Sequence, residues 1–543
     1  MSGPVAESGL FLGVDVGTSS SKGVLVTAKG EILARVSRPH ATSYPHPGWV
    51  EHDAETVWWA DFLALTRELV AAAGDRPLAA LAVSGIGPVL LPADAEGHPL
   101  RPAILYGVDT RAAREIAELT AELGAESIVE RGGTPLSSQA VGPKWRWLAR
   151  HEPEVFERTE LFLMASSYLV YRLTGEYVLD HHSASQCDPM YDLRAGAWAA
   201  DWAERVAPGV PLPRLVWPTE VAGTVSAAAA AETGLPQGLP VTAGTVDAWA
   251  EATSVGVADP GDTMVMYGTT MFLIQVLAEP RLSLSGLWTT RGAFPGTYTL
   301  AAGMATSGAI TDWLRKLTGG DFADLVRQAG EVPAGSRGLL LLPYFAGERT
   351  PLFDPDARGI IAGLTIGHGL GELYRAALEG IAYGVRHNLE AMQAAGGKGV
   401  WGLAPRWGLG VAPPEGRAVW GLAPGRGPGA APPEGGAGRL VAVGGGTQGG
   451  LWTQIVSDVT GAEQQVPAET IGAALGDALL AAVATGAEPD AAAWNPVAGT
   501  VRPDPRRAAV YEKFYRRYRE LYPATLEIAH FLAAEQHAAD TNE

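Results

Sequence analysis

The chain runs to 543 residues, 47% of them hydrophobic, with a net charge of −19 and a single cysteine, Cys187. That length exceeds what one core organises and predicts two or three domains. The acidic balance argues against nucleic acid and anionic membranes as partners, since both need a basic face; one cysteine excludes an internal disulfide and a cysteine-built metal cluster.

The start, MSGPVAESG, lacks the basic and apolar regions of a signal peptide, and no apolar run reaches spanning length. A cytoplasmic protein with no membrane partner is expected. The first element sets the pattern for the rest. LFLGVDV (10–16) is an apolar run of strand length, GTSSS (17–21) a turn of glycine and small hydroxyls, and GVLV (23–26) a second apolar run. Together they predict a β-hairpin. Asp15 does not belong in that strand for packing reasons, because a buried carboxylate is costly unless paired or bound to a cation. The turn beside it offers N–H groups and hydroxyls in a concave array suited to phosphate oxygens. A carboxylate beside such a cradle points to a Mg²⁺-nucleotide. The plainer alternative is a polar hairpin with Asp15 at its exposed end.

Lys29-Gly30-Glu31 reads as the next turn and EILARV as a third strand. Asp53 caps a helix over ETVWWADFLALTRELVAAA, where Trp58 and Trp59 are packing residues. LAALAVSGIG is a buried strand and RPAILYGVDTR another; residues 111–173 are mainly helical. His181 and His182 are adjacent, but no second ligand group stands at metal spacing, so they are assigned to structure.

Near residue 240 the composition shifts. LPVTAGTVDAWAEATSVGV reads as strand, turn and an Ala-rich helix opened by Asp247. DTMVMYGTTMFLIQVL then repeats the opening logic, with a Gly-Thr-Thr turn between apolar strands. Two hairpins of one kind, each opening a half of the chain, suggest duplicated domains meeting near Asp259-Pro260-Gly261. Later come a long amphipathic helix, strand RLVAV, the turn Gly444-Gly445-Gly446-Thr447-Gln448, a small-residue helix IGAALGDALLAAVATG, and a tail read as a surface helix. Between them, 400–418 (VWGLAPRWGLGVAPPEGRA) and 419–437 (VWGLAPGRGPGAAPPEGGA) form a Gly/Pro-rich tandem repeat. Two copies are too few for a solenoid, so a flexible insertion is expected. It precedes the N-terminal start of RLVAV, and ligands in α/β sheets bind beyond the C-terminal strand ends; the insertion should face away from the chemistry.

Three glycine-hydroxyl turns, each after an apolar strand, suit an ATP held between two halves. The third also fits GxGxxG, as Gly444, Gly446 and Gly449, but a dinucleotide fingerprint normally opens a domain and would leave the two hairpins unused. Asp247 reads as an N-cap or as a general base for a hydroxyl nucleophile. Phosphoryl transfer needs one carboxylate near the acceptor and one near Mg²⁺, which Asp247 and Asp15 supply.

At these residues the chain resembles the FGGY carbohydrate kinases, their xylulokinase-like members above all, from about residue 10 to 480. GVDVGTSSSKG resembles the first phosphate loop, and PHPGWVEHDAETVWW and RPAILYGVDTR follow in family order. Lys144 and Trp147 keep the centre of one family signature, although Gln139 and Val141 upstream of it match poorly. GIIAGLTIGHGLGELYRAALE (359–379) meets a second signature throughout, and LLPYFAGERTP and AVGGGTQGG stand where the family has them. The resemblance implies an α/β fold of two actin-like ATPase, ribonuclease-H-like domains with a cleft between them. The expected sugar-binding domain is 9–258 and the nucleotide-binding domain 259–530, the latter carrying the insertion at 397–438. It also implies ATP and Mg²⁺ as cofactors, with Asp247 as catalytic base and Asp15 as the Mg²⁺-associated carboxylate. Gly17, Thr18, Ser19 and Lys22 match the first phosphate loop, Gly268, Thr269 and Thr270 the second, and Gly444, Gly445, Gly446 and Gln448 the adenosine loop. Asp109, Arg111 and Trp49 are sugar-side candidates, although Trp49 equally suits a core.

The sugar side departs from xylulokinases. Ile86-Gly87-Pro88 replaces a Met-His pair, Tyr106-Gly107-Val108 a Trp-Asn lead, and Ala248 the Asn beside the base. That wall is expected to be more apolar and poorer in hydrogen-bonding groups. The expected activity is ATP-dependent phosphorylation of a xylulose-like ketose or polyol, with no nucleic-acid or membrane partner; a homodimer is compatible with it. The alternative is an inactive actin-like nucleotide-binding scaffold or sensor, since fold does not fix function.

Overall fold

The computed structural model describes residues 9–284, 286–395, 438–487 and 489–540. The tandem repeat at 400–437 lies outside the described residues, and with it the expected placement of the insertion. Its downstream flank is described: Gly438 sits where an added Cβ would lie 1.9 Å from Gly261 O.

The first sheet is built from β1 (Leu10–Val16), β2 (Ser20–Thr27), β3 (Ile32–Pro39), β4 (Leu78–Gly85), β5 (Val221–Thr224), β6 (Pro240–Thr242) and β7 (Thr245–Val246). Its order is β5-β6-β4-β1-β2-β3, with β7 also on β4. The meander β1–β2–β3 is antiparallel, whereas β4 runs parallel to β1 and β6 parallel to β4. Both faces of β1 are covered, which is why its sequence is apolar almost throughout. Leu10, Leu12 and Val14 pack with Phe62, Leu65 and Leu69 of α1 (Ala60–Ala73). Asp53 caps the turn before α1 as expected, accepting from Thr56 N at 2.8 Å.

The second sheet comprises β8 (Thr263–Tyr267), β9 (Met271–Leu277), β10 (Trp288–Arg291), β11 (Tyr298–Met304), β12 (Leu440–Val443), β13 (Gln464–Pro467) and β14 (Val497–Val501). Its order is β10-β11-β9-β8-β12-β13-β14. The antiparallel run β8–β9–β11 and the parallel additions β12 and β13 repeat the first sheet's plan. The fold is thus a pair of α/β domains of the expected actin-like kind.

One helix ties the halves together. α3 (Asp247–Ser254) follows β7, and α7 (Ala473–Ala484), from the far end of the second half, packs on α3 and on β1 and β4. Its small residues explain themselves: a Cβ on Gly476 would lie 1.8 Å from Ala250 O, and one on Gly13 would lie 1.9 Å from Ala474 O. A proposed division at 258/259 therefore leaves α7 resting on the first sheet. RPAILYGVDTR contributes only a two-residue strand, Ala103–Ile104. The C-terminal helix α8 (Ala508–Asp540) is no mere surface element: Tyr511, Tyr515 and Tyr518, at helical spacing, are buried against Tyr383 of α5 (Leu370–Ala394). Among the described residues no helix is long and apolar enough to cross a membrane.

Candidate active site

Strand register gathers the acidic groups. Asp15 and Thr245 are both register partners of Ser84, one on each side of β4. Asp247 then opens α3, and Glu251 stands one turn later on the same helix face. The two-residue alternation of β1 points Phe11, Gly13 and Asp15 toward α7, which adds Asp477, fully buried. Ser84 Oγ lies 2.7 Å from Asp477 Oδ2 and 3.1 Å from Asp15 Oδ1. A hydroxyl owns one proton, so of two carboxylates flanking it one must bring its own. Asp477 is that one. Its Oδ1 is buried without a partner, and burial, reinforced by the Asp15 and Asp247 charges, pushes its pKa well above the usual range. Ser84 Oγ can donate to Asp477 or to Asp15, one at a time, and the raised proton affinity of Asp477 favours it as the holder of the second proton.

Burial lifts Asp15 to about 6 against the charge of Lys22, its partner across the β1–β2 ladder. Asp247 is half-buried and accepts from Ala248 N at 2.7 Å. Burial, then the Asp15 charge, push its pKa well up. Glu251 rises to about 7, again by burial opposed by Lys22. Three acids, Asp15, Asp247 and Glu251, thus share the charge of one lysine, and Asp477 stands behind Asp15. Such a carboxylate-rich cleft suits a Mg²⁺ that takes one or two carboxylates and keeps its waters, since the ligand atoms of the four acids do not converge on one point.

Register also sets the second and third turns side by side, while the first stands at the end of β1 in the other sheet. In the first, Gly17 O faces His40 Nε2 at 3.1 Å, Thr18 O accepts from Thr42 Oγ1 at 3.0 Å, and Ser19 O accepts from His40 N at 3.0 Å. In the second, Gly268 O accepts from Ser307 Oγ at 2.9 Å and Gly308 N at 3.0 Å, and Thr269 O accepts from Ser307 N and Ala309 N, each at 3.0 Å. The donors open α4 (Gly308–Thr318). Met266 pairs with Val443 across β8–β12, which sets Gly444, Gly445, Gly446 and Gln448 beside Gly268. Gly444 has φ +92° and a Cβ there would lie 2.7 Å from Tyr267 O, so only glycine fits.

Asp109, Arg111 and Trp49 also meet, but the two charged groups are not open to a sugar. Neither side chain has exposed surface. Asp109 accepts from Val50 N and Arg111 Nη2, both at 2.7 Å, and Arg111 also pairs with Glu51 at 2.8 Å while stacking 4.1 Å over Trp49. Lys144 of the signature is enclosed too, donating to Ser138 O at 2.7 Å, with burial lowering its pKa to about 7. His182, buried, faces Arg291 O at 2.7 Å through Nδ1 and Gln186 through Nε2, and its pKa falls to about 3 by burial. His181 faces the Tyr191 hydroxyl at 2.9 Å through Nδ1. Glu379 of the second signature braces Gly335 N, Ser336 and Arg375 instead of facing the cleft.

Sequence reasoning missed Ser84, Glu251, Asp477 and Arg349. Tyr106 links the last to the site: its hydroxyl lies 3.0 Å from Thr18 Oγ1. Burial and the Asp247 charge raise its pKa while Arg349, from the second half, opposes them. Only the Arg349 position carried a signal, inside LLPYFAGERTP.

Two family models match the chain in order: FGGY family of carbohydrate kinases, N-terminal domain, over residues 10–254, and its C-terminal domain over residues 263–485. A xylulose kinase of Escherichia coli (strain K12) is 30% identical over 544 residues, covering 95% of this chain and 99% of the relative. A glycerol kinase of Nocardia farcinica is 34% identical over 401 residues, covering 70% and 77%. The crystal structure of xylulose kinase from Rhodospirillum rubrum aligns with TM-score 0.83 at 33% identity, covering 96% of this chain and all of that one (100%). The chain therefore belongs to the FGGY family of carbohydrate kinases, phosphotransferases with an alcohol group as acceptor.

Proposed function

We propose that the chain transfers the terminal phosphoryl group of ATP to a hydroxyl of a small ketose or polyol, most like D-xylulose. Asp247 is the general base and Asp15 the carboxylate that would hold Mg²⁺. The observation that carries this is the meeting of Asp15 and Asp247 around Ser84, at the end of the strand that leads into the first glycine turn. Mg²⁺, when bound, supplies neutralisation of phosphate charge.

The chain's own groups do the rest. A carboxylate with raised proton affinity is the better base toward an alcohol, and Asp247 has that property from burial and from Asp15. Lys22 and the N–H groups of Thr18, Ser19, Thr269 and Thr270 bind phosphate oxygens, those of Gly17 and Gly268 closing their own turns; 444–448 approaches the adenosine. Buried Asp109 and Arg111 hold the wall bearing Trp49, so sugar contact falls to more open groups such as Tyr106. Residues 86–88 and Ala248 beside the base bring no hydrogen-bonding side chain, which favours a substrate with few hydroxyls. Similarity along nearly the whole length to xylulose kinases supports the ketose, while glycerol kinases, matching about 70% of the chain, keep glycerol in the test set.

A coupled ADP-release assay over pentuloses, tetruloses, glycerol and longer polyols tests this. At least one should raise ADP release well above background; none doing so would favour a non-catalytic nucleotide binder. Asp247→Asn should cut turnover by about a thousandfold while ATP still stabilises the fold. Near-normal turnover would remove Asp247 from the role.

A further inference from the structure

Three successive carbonyls of the first turn are tied from behind by one short segment, His40 to Thr42, as described above. Proton positions along this wall follow from the donors. Trp58 Nε1 can only donate, and it lies 3.1 Å from His52 Nδ1. His52 therefore carries its proton on Nε2 and donates to Thr42 Oγ1 at 3.0 Å. That leaves the Thr42 hydroxyl proton for Thr18 O. His52 is neutral, with burial lowering its pKa to about 4.

His40 is different. Its Nε2 faces Gly17 O, and its Nδ1 faces Asp61 Oδ2 at 2.8 Å. Asp61 Oδ2 also accepts from Ser21 Oγ at 2.8 Å. A ring whose two nitrogens both face acceptors satisfies both contacts only in the doubly protonated form, with Asp61 as counter-ion. The ring is 7% exposed. In a trans peptide the C=O and the next N–H point opposite ways. Tying Gly17, Thr18 and Ser19 by their carbonyls turns the N–H groups of Thr18, Ser19 and Ser20 away from this wall and leaves them for an anion.

We infer that His40 is a positioning residue for the nucleotide's phosphates: held by Asp61, its imidazolium fixes the Gly17 carbonyl and keeps the turn's N–H groups aimed at phosphate oxygens. The inference rests on reading 17–19 as a phosphate loop. Losing one proton leaves Nδ1–H with Asp61 and turns Nε2 into a lone pair against a carbonyl oxygen, so the turn backs away and ATP binding weakens. The charged and titratable groups around the ring are Asp61 on α1, Arg38 on β3, His52 and Asp15. Arg38 Nε is 3.7 Å from Asp61 Oδ1, with Glu68 beyond it. The neutral His52 ring stands edge-on at 5.2 Å, and the His40 charge favours ionised Asp15.

KM for ATP and kcat, measured on the full chain from about pH 6 to about pH 9, test this together with ATP-induced shifts in melting temperature. In the wild type KM for ATP should rise at least about fivefold toward high pH. His40→Gln keeps a donor that does not titrate and should flatten that rise. Asp61→Asn should move it to lower pH. An unchanged rise in His40→Gln overturns the inference. NMR of the wild-type histidine nitrogens gives a readout independent of ATP and of variant folding. Two protonated His40 nitrogens near neutral pH support the wall, and a neutral ring overturns it. ATP that fails to stabilise the wild type, with the doubly protonated ring observed, would instead overturn the phosphate-loop reading and with it the ring's role.

Discussion

The two hairpin turns that open the halves of this chain are alike in sequence and held in opposite ways. Gly17-Thr18-Ser19 is braced largely by side chains, an imidazole and a hydroxyl reaching over from the end of β3. Gly268-Thr269-Thr270 is braced chiefly by the backbone N–H groups that open α4, helped by one serine hydroxyl. Backbone donors cannot lose a proton, and a helix N-terminus adds its own positive potential. They demand close approach, however, and hence a glycine. Side-chain donors reach further and bring pH dependence with them. Two turns that serve one triphosphate thus have different vulnerabilities.

Two substitutions probe that contrast, and a third probes the acids beside the first turn. The largest effect is expected from Gly308→Ala, because the added Cβ would lie 2.6 Å from Gly268 O and 3.2 Å from its carbon. Backbone cannot yield there without moving the turn, so KM for ATP should rise by about a hundredfold, equivalent to roughly 3 kcal/mol. A normal KM would show that the second turn does not need this contact. Thr42→Val keeps shape and removes the donor to Thr18 O. A neutral hydrogen bond contributes about 1 kcal/mol, so KM should rise about fivefold and equally at every pH, since His52 behind it stays neutral. A pH-dependent loss would mean that the two histidines do not act separately.

The smallest effect concerns stability. In the ligand-free fold Asp477 and Asp247 have pKa values pushed well up, Asp15 lies at about 6 and Glu251 at about 7, in each case chiefly by burial. Unfolded carboxyls titrate near about 4. Between the two the folded state holds more protons, so stability is full below about pH 4 from this source and declines as pH rises toward 7. Asp477→Asn should make that slope shallower, read from urea midpoints at mildly acidic and neutral pH. A slope as steep as the wild type's would mean that Asp477 is ionised in the fold.

The sequence by itself determined the hairpins, the turns and the two odd carboxylates, because each is written within a few residues. An apolar run sets a strand, a glycine-hydroxyl cluster sets its turn, and Asp15 betrays itself by interrupting the run. Asp247 was legible for the same reason, as a carboxylate at a strand-to-helix junction. What tertiary structure alone decided is which groups those carboxylates meet. Ser84 looks like any small strand residue, yet it bonds Asp477 from 393 positions away, in a helix whose alanines and glycines speak only of close packing. His40 and Thr42 stand just beyond the end of a strand and gain their meaning from the turn folded against them. Asp109 and Arg111 read as open sugar ligands, but long-range ion pairing enclosed them. Local periodicity fixes elements, whereas the partner of a buried polar group is chosen by register and helix packing across hundreds of residues, and no short window of sequence contains that choice.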